Sequence, residues 1–68
     1  MDKPYIELNS FLKIKNLATT GGQAKILIRS EKVLVNGIVE TRNRRKLVAG
    51  DKVTIENKTL VVEEAVVR

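Results

Sequence analysis

The chain has 68 residues, no cysteine, no histidine and a net charge of +5. A disulfide and a thiolate- or imidazole-held zinc are therefore excluded, and one small domain over residues 1–68 with a core of modest stability is expected. No stretch reaches the roughly 18 apolar residues of a membrane span, and the first residues carry no apolar signal core, so a cytoplasmic protein with no membrane partner is expected.

Leu8, Phe11 and Leu12 recur at helical spacing and are followed by Lys15, which predicts a short amphipathic helix from Leu8 to about Asn16. Thr19-Thr20-Gly21-Gly22 is a turn signal. Thr20 followed three residues later by Gln23 fits a capping box, in which the hydroxyl accepts from the N3 amide while the glutamine reaches back. A second helix is expected from about Gly21 to Ser30. At 100° per residue, Ala24, Leu27 and Ile28 share one face. Gly22, Lys25, Ile26 and Arg29 share the opposite one, with Lys25 and Arg29 one turn apart. Gly21 and Gly22 leave the start of this helix uncovered by side chains. Free amides and the helix dipole there attract anions, so this turn with Lys25 is a candidate phosphate seat. The same glycines would equally serve a tight turn between helices.

The period then changes to that of strands. Val33-Leu34-Val35 and Ile38-Val39 flank Asn36-Gly37, the strongest short hairpin signal, because a type I′ turn needs positive φ at both centres. Ala49-Gly50-Asp51 reads as a turn, and Lys52-Val53-Thr54-Ile55-Glu56 alternates cleanly. Asn57-Lys58 is expected to turn the chain into Thr59-Leu60-Val61-Val62-Glu63. Two helices followed by strands make an α+β domain, with the helices packed on a small, twisted, mostly antiparallel sheet.

Charge is concentrated in the middle. Residues 13–46 hold nine cations against Glu31 and Glu40, a net of +7, and each flank is −1. Such asymmetry points to a polyanionic partner. Four of the cations, Arg42, Arg44, Arg45 and Lys46, fall within five residues just past the hairpin. Burying them unpaired is costly, so they belong on a loop or an exposed edge. The planar arginine fork suits bidentate phosphate contact. Protection of a sheet edge from aggregation is the plainer role, although one or two lysines suffice for that. If the helices pack on the hairpin, Lys25 and Arg29 are expected to join the cluster in one patch.

Four segments together carry a resemblance. They are Leu8-Asn9-Ser10-Phe11-Leu12-Lys13, Gly21-Gly22-Gln23-Ala24-Lys25 with Ile28, Val33 with Val35-Asn36-Gly37, and Lys46-Leu47 with Gly50-Asp51 and Val53. In this order and spacing they resemble the ribosomal protein S-four-type RNA-binding domain, or alpha-L motif, most of all its short stand-alone bacterial members. The resemblance covers about residues 6–55, with a C-terminal hairpin running on to 68. It implies RNA binding on a surface made by the two helices and the hairpin. By position, the implied RNA-facing residues are Lys13, Thr20, Gly21, Gly22, Gln23, Lys25, Arg29, Arg42, Arg44, Arg45 and Lys46. The sequence departs from the family at three places. Glu7-Leu8-Asn9 stands where many members have Arg-Leu-Asp, and Gly21-Gly22 where many have Ser-Arg. Ser30-Glu31-Lys32 stands where many have a glycine.

Catalysis is not expected. No histidine or cysteine is present to act as base or nucleophile, Ser10 and Ser30 have no triad partners, and Glu63 and Glu64 on a strand point to opposite faces. No cofactor, metal or small-molecule substrate is expected. Tyr5 and Phe11 are the only aromatics, and Phe11 belongs in the core, so stacking on single-stranded bases is not the expected mode. Structured RNA read by phosphate and shape is expected instead. The resemblance narrows this to ribosomal or transfer RNA, and to the ribosome as the wider partner, bound by a monomer. A protein-interaction adaptor is the alternative, using the basic patch or the apolar tail Leu60-Val61-Val62 with Ala65-Val66-Val67.

Overall fold

Helical and strand periods meet in one apolar layer, which a computed structural model describes for residues 4–64 and Val67. In chain order the elements are β1 (Ile6–Glu7), α1 (Leu8–Ile14), α2 (Gly21–Arg29), β2 (Val33–Val35), β3 (Ile38–Val39), β4 (Lys46–Leu47), β5 (Lys52–Ile55) and β6 (Lys58–Val61). Strands β3, β2, β5 and β6 lie side by side in that order, every pair antiparallel. A separate two-residue ladder joins β1 to β4, with Ile6 opposite Leu47 and Glu7 opposite Lys46. The expected α+β architecture is found.

The core follows from the periods. Leu8, Phe11 and Leu12 of α1 and Ala24 and Ile28 of α2 are fully buried, as are Val33 of β2, Val53 of β5 and Leu47 of β4. Alternation on the sheet places Val33, Val35, Val53 and Ile55 on the covered face. On α2 the expected division holds: Ala24 and Ile28 are buried, while Gly22, Lys25, Ile26 and Arg29 are exposed.

Helix α1 ends at Ile14, short of the expected Asn16. Asn16 takes a left-handed φ of 59°. Its amide donates to Lys13 O (3.1 Å) and the Leu17 amide to Leu12 O (2.9 Å), the two bonds of a Schellman stop. Helix α2 ends the same way one turn past Ile26. Glu31 adopts φ 62°, and the amides of Glu31 and Lys32 donate to Ile28 O (3.2 Å) and Leu27 O (3.4 Å). Glutamate thus occupies the left-handed position that glycine fills without steric cost.

Both hairpins use two residues at positive φ. Asn36 (54°) and Gly37 (83°) join β2 to β3 as expected. The second turn is Glu56 (48°) and Asn57 (70°), one residue earlier than Asn57-Lys58. The β5–β6 register pairs Ile55 with Lys58, so Lys58 opens the last strand, which ends at Val61. The tail residues Ala65 and Val66 lie outside the described residues.

Replacing Glu31 by glycine relieves the left-handed strain. Chemical denaturation is expected to show Glu31→Gly more stable than the wild type by about 0.5–1 kcal/mol. A loss of stability would mean that the glutamate side chain contributes something its exposed position does not show.

Candidate nucleic-acid interface

The two cation groups sit at the two ends of α1. At seven residues this helix is about 10 Å long, and each end is built differently.

At its start, the helix is capped by the arginine loop. Glu7 is the N-cap residue, but its side chain caps nothing. Instead the Leu8 amide donates to Arg45 O (2.9 Å) and the Asn9 amide to Asn43 O (3.1 Å). Loop carbonyls therefore satisfy amides that a first helical turn leaves without partners. This fixes the loop backbone, and with it the directions in which Arg42, Arg44, Arg45 and Lys46 leave it. The four cations line an open cleft of about 520 Å³.

The four are not equivalent. Arg45 is folded inward, with its side chain 27% exposed. Its Nε reaches Glu40 Oε1 at 3.0 Å, its Nη1 donates to Lys46 O at 3.0 Å, and Asp51 Oδ2 lies 3.8 Å away. Arg42 and Arg44 are 73% and 79% exposed. Arg44 Nε donates to Glu7 Oε2 (3.0 Å). Arg42 gives Nε (2.9 Å) and Nη2 (3.1 Å) to the Glu40 carboxylate, which also accepts from the Arg42 amide (3.0 Å). These bonds to Arg42, helped by the charge of Arg45, hold the Glu40 carboxyl far below its ordinary 4.5, at about 2. Lys46 Nζ stands 4.9 Å from the centre of the Tyr5 ring.

Asp51 ties this loop to the first hairpin. Its Oδ2 accepts from the Val48 amide (2.9 Å) and its Oδ1 from Asn36 Nδ2 (3.2 Å). Asn36 in turn takes the Lys52 amide on Oδ1 (3.0 Å) and gives its own amide to Lys52 O (2.7 Å). The Asn36-Gly37 and Gly50-Asp51 signals, read separately in the sequence, are thus one hydrogen-bonded unit. Gly50 at φ 96° lets the chain turn tightly enough for Asp51 to reach back.

At the other end of α1, Lys13 meets the start of α2. A Cβ built on Gly21 would lie 4.0 Å from Lys13 Nζ, so the ammonium stands beside the first turn of α2. Thr20 caps that turn by accepting from the Gln23 amide (3.1 Å). Gln23 reaches back one residue further than a capping box requires, accepting from the Thr19 amide and hydroxyl (both 2.7 Å). Gly22 is exposed, as are Lys25 and Arg29 along the same helix. Ile26 shares that face at 66% exposure. Among the described residues Lys13, Lys25 and Arg29 make no ion pair. No hydrogen bond or ion pair among these residues joins Lys25 or Arg29 to the arginine loop; α1 is the link between the two groups.

Sequence reasoning missed the carboxylates that organise the cations. Glu40 carried a signal, as one of two acids in a stretch of +7; Asp51 was read only as a turn residue, and Glu7 did not stand out.

The sequence profile described as S4 domain matches residues 1–63. The chain belongs to the S4 domain family. YbcJ of Escherichia coli (strain K12) is 42% identical over 59 residues, which cover 87% of this chain and 84% of that one. RlbA of Bacillus subtilis (strain 168), named a probable ribosome maturation protein, is 41% identical over 56 residues, covering 82% of this chain and 79% of that one. The solution structure of YbcJ, described as revealing an alpha-L motif involved in RNA binding, superposes with a TM-score of 0.67 at 40% identity. That match covers 93% of this chain and 80% of YbcJ. Among S4 domains the arginine loop here is therefore seen on an alpha-L fold, with its helices and sheet in the expected places.

Two consequences can be measured. Arg45→Ala is expected to lower stability by about 1–2 kcal/mol, because it strips partners from Glu40 and loosens the cap of α1. Arg44→Ala, at an exposed pair, should stay within about 0.5 kcal/mol of the wild type. Glu40, with its folded pKa depressed to about 2 from 4.5, stabilises fully above pH 4.5 and loses that contribution as pH falls towards 2. Thermal melts should therefore show Glu40→Gln below the wild type at pH 6, with the gap closing between pH 4.5 and 2. A gap that stays constant through this range would remove Glu40 from the acid limb.

Proposed function

We propose that this chain is a non-catalytic RNA-binding protein that holds structured RNA by phosphate and shape contacts. The observation that carries this reading is the pair of outward cation groups fixed at the two ends of one short helix. Arg42, Arg44 and Lys46 extend from a loop whose backbone is bonded to α1. Lys13 stands beside Gly21 at the Thr20-Gly21-Gly22-Gln23 turn, where the amides of the first turn of α2 face outward, and Lys25 and then Arg29 follow along that helix to its last turn. An RNA that touches both groups places phosphates at both ends of α1, about 10 Å apart along the helix.

Exposed aromatic surface is too small for a stacking mode. Phe11 is fully buried, and Tyr5 is only 37% exposed with Lys46 over its ring. Phosphates therefore supply most of the affinity, and the folded shape of the RNA supplies selectivity. Ribosomal RNA is the target class that fits best, because RlbA is named for ribosome maturation and YbcJ is described as RNA-binding. Transfer RNA shares the same folded-backbone chemistry. The chain acts in the cytoplasm as a monomer, the net positive charge of its middle disfavouring self-association.

One observation favours a second reading, that of a protein-interaction adaptor. Ile38 is 73% exposed and Val39 43% on β3, an edge strand of the four-stranded sheet, and Val61 is 49% exposed on the opposite edge.

Titration against ribosomal RNA, transfer RNA, single-stranded RNA and duplex DNA at several salt concentrations separates the two. The RNA reading expects structured RNA to bind most tightly, with log K falling against log salt at a slope that corresponds to about four or more phosphates. Charge reversal at Arg44 and Lys46 should abolish this binding while leaving Arg45, and hence the fold, intact. Equal weak binding of all four, or none, would favour the adaptor with its edge strands.

A further inference from the structure

A carboxylate beside a polyanion site ordinarily weakens binding by repulsion. Glu40 is such a carboxylate, in the middle of the most basic part of the chain, and its geometry argues for the opposite role. Its own amide donates to Val33 O at 2.9 Å, which extends the β2–β3 ladder by one residue and mounts Glu40 on the sheet. Its side chain is 12% exposed, accepts hydrogen bonds from Arg42 and forms an ion pair with Arg45. Resting on the RNA-binding reading, we infer that Glu40 is a positioning residue: it clamps the inner edge of the Arg42 guanidinium so that the outer edge is presented to an RNA phosphate.

The donor inventory supports this. A guanidinium has five N–H donors in one plane. Glu40 takes Nε–H and one hydrogen of Nη2. Nη1 and the second hydrogen of Nη2 remain on the far edge, and the side chain is 73% exposed. A fork held in this way has already lost the rotamer freedom that an unclamped arginine gives up on binding. Arg45, by contrast, is spent on Glu40 and Lys46 O, and supports the clamp from behind. With its carboxyl held at about 2, Glu40 stays ionised, and the clamp closed, throughout the neutral range.

The sign of one substitution decides between repulsion and positioning. Binding is measured to a ribosomal RNA stem-loop and to unfractionated transfer RNA at fixed salt, after thermal melts confirm folding. Glu31→Gln removes the other carboxylate of the basic stretch, one with no ion pair among the described residues. It should tighten binding by about two-fold, as charge alone requires. Glu40→Gln should instead weaken binding by about three- to ten-fold. Arg42→Lys keeps the charge and the exposed position but loses the fork, and should weaken binding by a similar factor. The double variant should bind no worse than the weaker single one, because both break the same clamp.

If Glu40→Gln binds as tightly as the wild type or tighter, Glu40 acts only by charge and the inference falls. Arg42→Lys binding like the wild type overturns it equally, and does so even if Glu40→Gln fails to fold. Wild-type protein that binds neither RNA marks the failure of the RNA reading itself, a result separate from either of these.

Discussion

The bond from the Leu8 amide to Arg45 O is the constraint on which the rest of the structure depends. It continues the β1–β4 ladder directly into the first turn of α1, so that strand pairing and helix start are one event. A seven-residue helix is too short to be stable alone. It forms here because Leu8, Phe11 and Leu12 are buried and because a loop 34 or more residues later in the chain supplies its missing acceptors. The loop that carries the arginines is therefore part of the fold, and cannot move without uncapping the helix.

This arrangement explains how so many cations are held close together. Like charges in one loop repel, and each must be offset nearby or face water. Glu40, Glu7 and Asp51 do the first for Arg45 and one edge of Arg42 and Arg44; exposure does the second for the remainder. Two kinds of arginine result. Arg45 is bonded on several sides and serves the loop, while Arg42 and Arg44 are bonded on one edge and open on the other. Composition cannot separate these kinds, since all are arginines within a few residues of each other.

What was legible in the sequence had a local cause. The Thr20 cap, the two faces of α2 and the Asn36-Gly37 hairpin each follow from residues close together in the chain. The β1–β4 ladder was not legible, because two-residue strands carry no periodic signal and Ile6 and Leu47 meet only through the tertiary fold. The second hairpin slipped by one residue because Glu56 takes a left-handed φ that its side chain does not advertise. The early end of α1 has the same origin in Asn16. At the candidate site, the cations were visible as a charge run, but their carboxylate partners come from β1, from the end of β3 and from the turn before β5. Only the folded chain brings Glu7, Glu40 and Asp51 to the same loop.

The double duty of the loop has a thermodynamic consequence. In a chain this small few residues are available, and the segment that shows cations to a ligand is also the segment that caps α1. A ligand that fixes the loop must then stabilise the helix, and through Leu8, Phe11 and Leu12 the core behind it, because binding to the native state alone shifts the folding equilibrium. The converse also holds. Anything that loosens the core loosens the loop carbonyls, and with them the directions of Arg42 and Arg44. Stability and binding in this fold are therefore linked through the same two backbone hydrogen bonds, and a substitution in the buried core, at Leu47 of β4, acts on the arginines as surely as one within the cleft.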